Sequence, residues 1–226
     1  MSQSRKRVRR RPGRPSRSEN RDTRGEILIA AEKLFAATGY EATSLRQIAN
    51  EASVDLATVK YHFSEKSTLY DQAYAVGLTH FLETFTPLIA ALASSESRES
   101  LDCALKQIAT ACADFIHDKR NFVRMTLFRM LESGNGEPLS ASLQKSELLK
   151  QLTEGIDQAV SSNIARKIDT PSFATLALVG IPMWVIATEP STAAPAVEPK
   201  PLNEGHQRVE RFVSNLLSSM VLPHAS

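Results

Sequence analysis

Cysteine is scarce in this chain of 226 residues, with only Cys103 and Cys112. Nine residues apart on one helix, the two thiols point to roughly opposite faces, so they neither pair with each other nor share a metal ion. They read as small core or surface residues, and a reducing cytoplasm is the expected compartment. Long apolar runs are also missing. The N-terminus has no apolar segment of the kind a secretory leader needs, and Pro12-Gly13-Arg14-Pro15 breaks any amphipathic transit helix. The most apolar stretch, Pro171 to Thr188, falls short of the ~20 residues that span a bilayer, so no membrane partner is expected. Alternating strand patterns of useful length and internal repeats are absent. There is no His-Glu-x-x-His, no Gly-x-Ser-x-Gly, no Walker loop and no cluster of His and Cys. His80, His117, His206 and His224 are scattered and read as surface or satisfied histidines. The sequence therefore predicts no catalytic residues, no metal site, no cofactor and no enzyme activity.

Charge is present but unevenly spread. Net charge is +2, yet residues 1–66 carry 14 Lys and Arg against 8 Asp and Glu, leaving the remainder at −4. A basic N-terminal part on an acidic body predicts a polyanion partner for the first part only. Residues 1–21 hold nine basic residues with Pro12, Gly13 and Pro15, too polar to bury apolar surface and expected to be disordered alone.

Beyond this arm the periodicity is helical throughout. A first helix is predicted from a Thr23/Glu26 capping box, with Ile27, Ala30, Ala31, Leu34 and Phe35 on one face and Gly39 as its end. A long helix is predicted from about Glu65 toward Phe85, ended or kinked by Pro87. Further helices are expected from Glu99, over Phe122 to Leu131 with a plain turn at Ser133-Gly134-Asn135-Gly136, and from about Ser140 to Lys167. Two more are expected over Pro171 to Thr188, interrupted at Gly180 and Pro182, and from Asn203 to Leu222. Pro190, Pro195, Pro199 and Pro201 mark a loose connection between these last two.

The organising stretch is Thr43 to Tyr70. Leu45, Ile48, Ala49 and Ala52 make one apolar helical face. Ser44 with Gln47 has capping-box spacing, and Thr43 is an alternative cap. Ala52-Ser53-Val54 makes a turn, and Asp55 can cap a second short helix, Leu56 to His62. Val59 and Phe63 can anchor that helix, leaving Leu56, Ala57, Thr58, Lys60, Tyr61 and His62 mostly outside. Two helices and a turn of this size form a helix-turn-helix.

The string A-S-V-D-L-A-T-V-K-Y-H-F-x-x-K-x-x-L-Y resembles the DNA-binding signature of the tetracycline-repressor (TetR) family, at Val54, Thr58, Tyr61, His62, Phe63, Lys66 and Leu69. The preceding A-x-x-L-F-A-x-x-G-Y-x-x-T-S-x-x-x-I-A is similar to the family as well. The resemblance covers roughly Thr23 to Tyr70. Ser53 and Ala57 stand where the family commonly has Gly, and Lys60 where it has Tyr or Asn, which bears on the operator sequence and not on the fold. The resemblance implies an all-α protein. Its N-terminal three-helix DNA-binding domain, residues 22–70, would follow the basic arm, residues 1–21, and precede a helical effector-binding and dimerisation domain, residues 71–226. It implies a homodimeric, ligand-responsive repressor on a palindromic double-stranded operator, in a bacterial cytoplasm.

Site residues follow from these two readings together. Thr43 or Ser44 and Lys66 place donors at helix starts, where a phosphate can sit. Asp55, Leu56, Ala57, Thr58 and Lys60 belong to the reading helix, with Lys60 a donor to guanine and the apolar groups suited to a thymine methyl. The resemblance adds Tyr61 and His62 as phosphate contacts. Arg14, between Gly13 and Pro15, suits the minor groove as part of an incomplete AT-hook; a non-specific basic tail is the alternative. In the body, Phe85, Phe122, Met125, Phe128 and Trp184 read either as plain core or, by the resemblance, as the wall of a pocket for a small apolar or aromatic effector. An all-α interaction or adaptor protein with a basic tail is the competing class.

Overall fold

The computed structural model describes residues 22–131, 146–188 and 202–223. The basic arm with Arg14, the predicted turn at Ser133 to Gly136, the start near Ser140 and the proline-rich connection lie outside them. The described residues form helices and no strand. Helix α1 spans Thr23–Ala42, α2 Leu45–Glu51, α3 Leu56–His62, α4 Lys66–Ala93, α5 Arg98–Asp118 and α6 Arg120–Leu131. Helix α7 spans Glu147–Ser161, α8 Thr170–Thr175, α9 Ile181–Thr188 and α10 Leu202–Val221, with a π-helical turn at Leu176–Gly180 between α8 and α9.

Helix α1 is capped one residue earlier than its Thr23/Glu26 pattern predicts: the Asp22 carboxylate accepts from the Gly25 N–H at 2.9 Å. A carboxylate is as good a cap as a hydroxyl and also favours the positive helix end. Ile27, Ala30, Ala31 and Phe35 are buried as their spacing predicts. At Gly39, φ +81° breaks the regular helix in a conformation that only glycine adopts freely.

Helix α4 is the spine. Its buried face, from Leu69 through Tyr74, Phe81 and Phe85 to Leu92, joins the N-terminal helices to α5, α6 and α7. It is long and apolar enough to cross a bilayer by length and composition alone, but that face packs against four neighbouring helices. Pro87 does not end it, since the helix runs on to Ala93. Pro87 sits on the exposed side, and buried Ile89 and Leu92 hold the two turns beyond it, outweighing one missing hydrogen bond. Gly77 lets α6 come close, because a Cβ there would overlap the Phe122 ring.

In α5 the stripe Leu101, Leu105, Ile108, Cys112, Phe115 and Ile116 is buried as its spacing predicts. Cys103 is exposed and Cys112 buried, so the two do lie on different faces; burial pushes the Cys112 thiol up to about 12. Helix α7 stops at Ser161, short of Lys167, because Asn163 takes φ +60° and the Ile164 N–H bonds back to the Ala159 carbonyl. Between α8 and α9 the Ile181 N–H reaches back to the Leu176 carbonyl, five residues away. This widened turn lets the chain pass Pro182 without the clash a proline causes one turn back, so Gly180 and Pro182 reshape the helix and do not end it. In α10 the predicted stripe splits in two: Val213, Leu217 and Val221 are buried along α5, whereas Phe212 is exposed.

Candidate nucleic-acid interface

Helices α2 and α3 are local products of their sequence. Ser44 caps α2 in a full capping box with Gln47: the Gln47 N–H donates to Ser44 Oγ at 3.3 Å, and the Ser44 N–H to Gln47 Oε1 at 2.7 Å. The α2–α3 turn is a Schellman end, in which the Val54 N–H bonds to the Ala49 carbonyl and the Ser53 N–H to Asn50. Ser53 sits at φ +54° there, which accounts for glycine being common at this position in the resembling family. Asp55 caps α3, its carboxylate accepting from the Thr58 N–H at 2.6 Å; hydrogen bonding from the Thr58 hydroxyl, and then from that N–H, holds its pKa below the usual carboxylate value.

The anchors of α3 are Val59 and Phe63, both fully buried. Burying two such side chains contributes roughly 1.5–3 kcal/mol each, enough to hold a helix of seven residues that would not persist alone. With that side committed inward, Ala57, Lys60 and Tyr61 stand exposed, Tyr61 at 85%, while Leu56, Thr58 and His62 are half-buried. The face is small, aromatic and singly basic, with no carboxylate after the cap.

Thr43 and Ser44 separate cleanly. Ser44 is exposed at the start of α2, whereas Thr43 is 2% exposed and its hydroxyl donates to the Gly39 carbonyl at 2.7 Å. Thr43 is therefore neither the cap nor an open phosphate donor; it closes the broken end of α1. Lys66 is half-buried, its ammonium 4.2 Å from the Tyr40 ring centre and 3.4 Å from the Glu41 carbonyl, so it helps seal the same break while lying at the start of α4. Arg46, exposed beside Ser44 on α2, was not singled out by sequence reasoning. Its signal is only its place two residues after the cap, on the side away from Ile48 and Ala49.

In the body, Phe85, Phe122 and Met125 are buried and Phe128 half-buried. Phe85 and Phe122 both pack on Phe115, at 5.6 and 6.1 Å between ring centres. Trp184 does not join these ring contacts. It is 44% exposed, and its ring lies 5.1 Å from that of Phe212. A separate apolar cavity of about 10 Å³, room for a single water, lies among Leu92, Leu105, Ile108, Leu152, Phe173 and Leu217 and touches none of the five predicted pocket residues. Among the described residues, no group of three or more His, Cys, Asp and Glu is arranged to hold a metal ion.

Residues 27–73 match the family described as bacterial regulatory proteins, tetR family. The probable HTH-type transcriptional regulator YttP of Bacillus subtilis is 26% identical over 132 residues, 58% of this chain and 62% of that protein. The HTH-type transcriptional activator FasR of Mycolicibacterium smegmatis is 33% identical over 118 residues, 50% of this chain and 51% of that protein. The chain thus spans about half the length of the curated relatives it matches. Among solved structures, the ketosteroid transcriptional regulator KstR2 of Mycobacterium tuberculosis superposes with a TM-score of 0.64 at 15% identity, over 90% of this chain and 97% of that one. AibR, solved in complex with isovaleryl coenzyme A and operator DNA, gives 0.63 at 17% identity, over 89% and 99%. At such identities these two likenesses establish the fold alone. The N-terminal helix-turn-helix domain of this chain thus matches the tetR family of bacterial regulatory proteins over residues 27–73, and the chain shares its all-helical fold with KstR2 and AibR.

Proposed function

We propose that the chain is a sequence-specific DNA-binding transcriptional regulator that acts as a homodimeric, ligand-responsive repressor on a palindromic operator in the bacterial cytoplasm. The observation that carries this reading is the outward face of α3, where Ala57, Lys60 and Tyr61 are exposed above fully buried Val59 and Phe63. Such a helix can enter a major groove, with Lys60, Ala57, Leu56 and Thr58 toward base edges. Ser44, Arg46, Tyr61, His62 and Lys66 then supply flanking phosphate contacts, and Asp55 serves them as the cap of α3. The division into an arm, residues 1–21, a DNA-binding domain, residues 22–70, and an effector and dimerisation domain, residues 71–226, belongs to this reading.

Exposed Trp184 and Phe212, with Met183 and Leu176, support a second copy as the cover for α9 and α10. The buried aromatic cluster around Phe115 supports a small apolar or aromatic effector, bound among Phe85, Phe122, Met125 and Phe128. AibR, a fold neighbour, was solved with a small-molecule ligand, isovaleryl coenzyme A, of which only the acyl end is apolar. The naming of relatives as regulators disfavours an adaptor with a merely basic tail. The test is selection of duplex DNA from a random pool by the full chain. The expected result is an enriched inverted repeat; binding that tracks only salt and length, with no enriched sequence, would remove the regulator reading.

A further inference from the structure

The body holds the DNA-binding domain through a contact that no sequence motif announces. On α6, the Arg124 Nε–H donates to the main-chain carbonyl of Ala36 in α1 at 2.9 Å. Ala36 lies three residues before the break at Gly39, where the helix runs out of regular donors and carries its negative dipole end. A guanidinium suits that position, and it comes from a different part of the fold, 88 residues away. One turn further along α6, Arg129 lies 4.6 Å above the Tyr74 ring and 3.7 Å from Asp71, both on α4. Helix α6 therefore grips both helices that carry the helix-turn-helix.

We propose that Arg124 is a positioning residue for DNA recognition: by capping the end of α1 from the body, it fixes the angle at which the helix-turn-helix domain is held. The apolar contact between α1 and α6 is non-directional and tolerates sliding. A half-buried guanidinium bonded to one carbonyl does not, because moving α1 leaves a polar group unpaired. Since the acceptor is main chain, side-chain changes along α1 leave it in place. The inference rests on the reading of the chain as a dimeric operator-binding protein. In that setting, the angle of each head sets the separation of the two α3 helices, and so which half-site spacing is accepted.

The experiment measures binding of the full chain to its selected operator and to versions with one or two base pairs inserted or removed between half-sites. One base pair turns a half-site by about a tenth of a turn, so wild type should lose about tenfold per step. Arg124→Met, which keeps the apolar stem, should bind the best spacing more weakly yet lose only about threefold or less per step, with an unchanged salt slope and a thermal midpoint lowered by only a few degrees, as one unpaired carbonyl requires. Arg124→Lys, which keeps charge and a donor but not the planar fork, should fall between the two. It carries the test alone if Arg124→Met does not fold. A variant that keeps the wild-type spacing profile, or that weakens every spacing equally, overturns the proposal. A wild-type chain that selects no inverted repeat defeats the underlying DNA-binding reading instead.

Discussion

Ser53 at φ +54° holds a conformation that costs most L-residues about 1–2 kcal/mol and glycine almost nothing. Ser53→Gly should therefore stabilise the domain by about 0.5–1 kcal/mol, after allowing for the freer unfolded chain. Urea unfolding checks this, and a loss of stability would mean the serine hydroxyl contributes more than the strain costs. Glu32 is a second locally unfavourable residue. Burial raises its carboxyl pKa above the ordinary 4.5, against the smaller pull of Lys119 and His80. In the window between those two values the folded state binds more protons than the unfolded one, so Glu32's contribution to stability falls as pH rises through it. Glu32→Gln should accordingly raise the melting temperature at pH 7 and lose that advantage below pH 4.5. Melting curves across that range check the sign. The turn at Ser53 was legible in the sequence, since capping and Schellman bonds are local. The burial of Glu32 was not, because it depends on α4 and the α5–α6 junction arriving from elsewhere.

At the scale of the element, α3 and the start of α4 separate two kinds of contact. Lys60→Ala should relax preference at one or two operator positions, by about 1–3 kcal/mol of discrimination. Lys66→Ala should weaken all sequences alike and reduce the log–log salt slope by about 0.9. A library of operator variants, bound at two salt concentrations, distinguishes the two; identical profiles would mean α3 presents a different face to the groove. The bounds of α2 and α3 follow from Ser44 and Asp55, whose caps need no tertiary partner. Thr43 shows where that reasoning stops. A hydroxyl beside a helix start can cap it or turn back on the preceding helix, and only the broken end of α1 decides for the second. Pro87 and Pro182 make the same point for apolar elements: buried Ile89 and Leu92 outweigh the proline rule at the first, and the widened turn before Ile181 relieves the clash at the second.

For the whole molecule, α9 and α10 leave Trp184 and Phe212 against each other and still open to solvent at 44% and 46%. Phe212→Lys with Leu216→Lys should give monomers, or a chain that folds poorly, in either case with operator binding lost. Sedimentation velocity checks this, and a variant that remains dimeric would move the interface elsewhere. Fold class, the helix-turn-helix and the exposed face of α3 were determined by sequence alone, because periodicity, caps and turn residues act within a few positions of one another. Tertiary structure alone decided the placing of long-range partners. It moved Trp184 away from the aromatic rings around Phe115, sealed the end of α1 with Lys66, and brought Arg124 to the Ala36 carbonyl. The reason is that the acceptor in α1 is a main-chain carbonyl, a group every residue carries. Which carbonyl is reached depends on how α6 packs across α1, and no local pattern records that crossing.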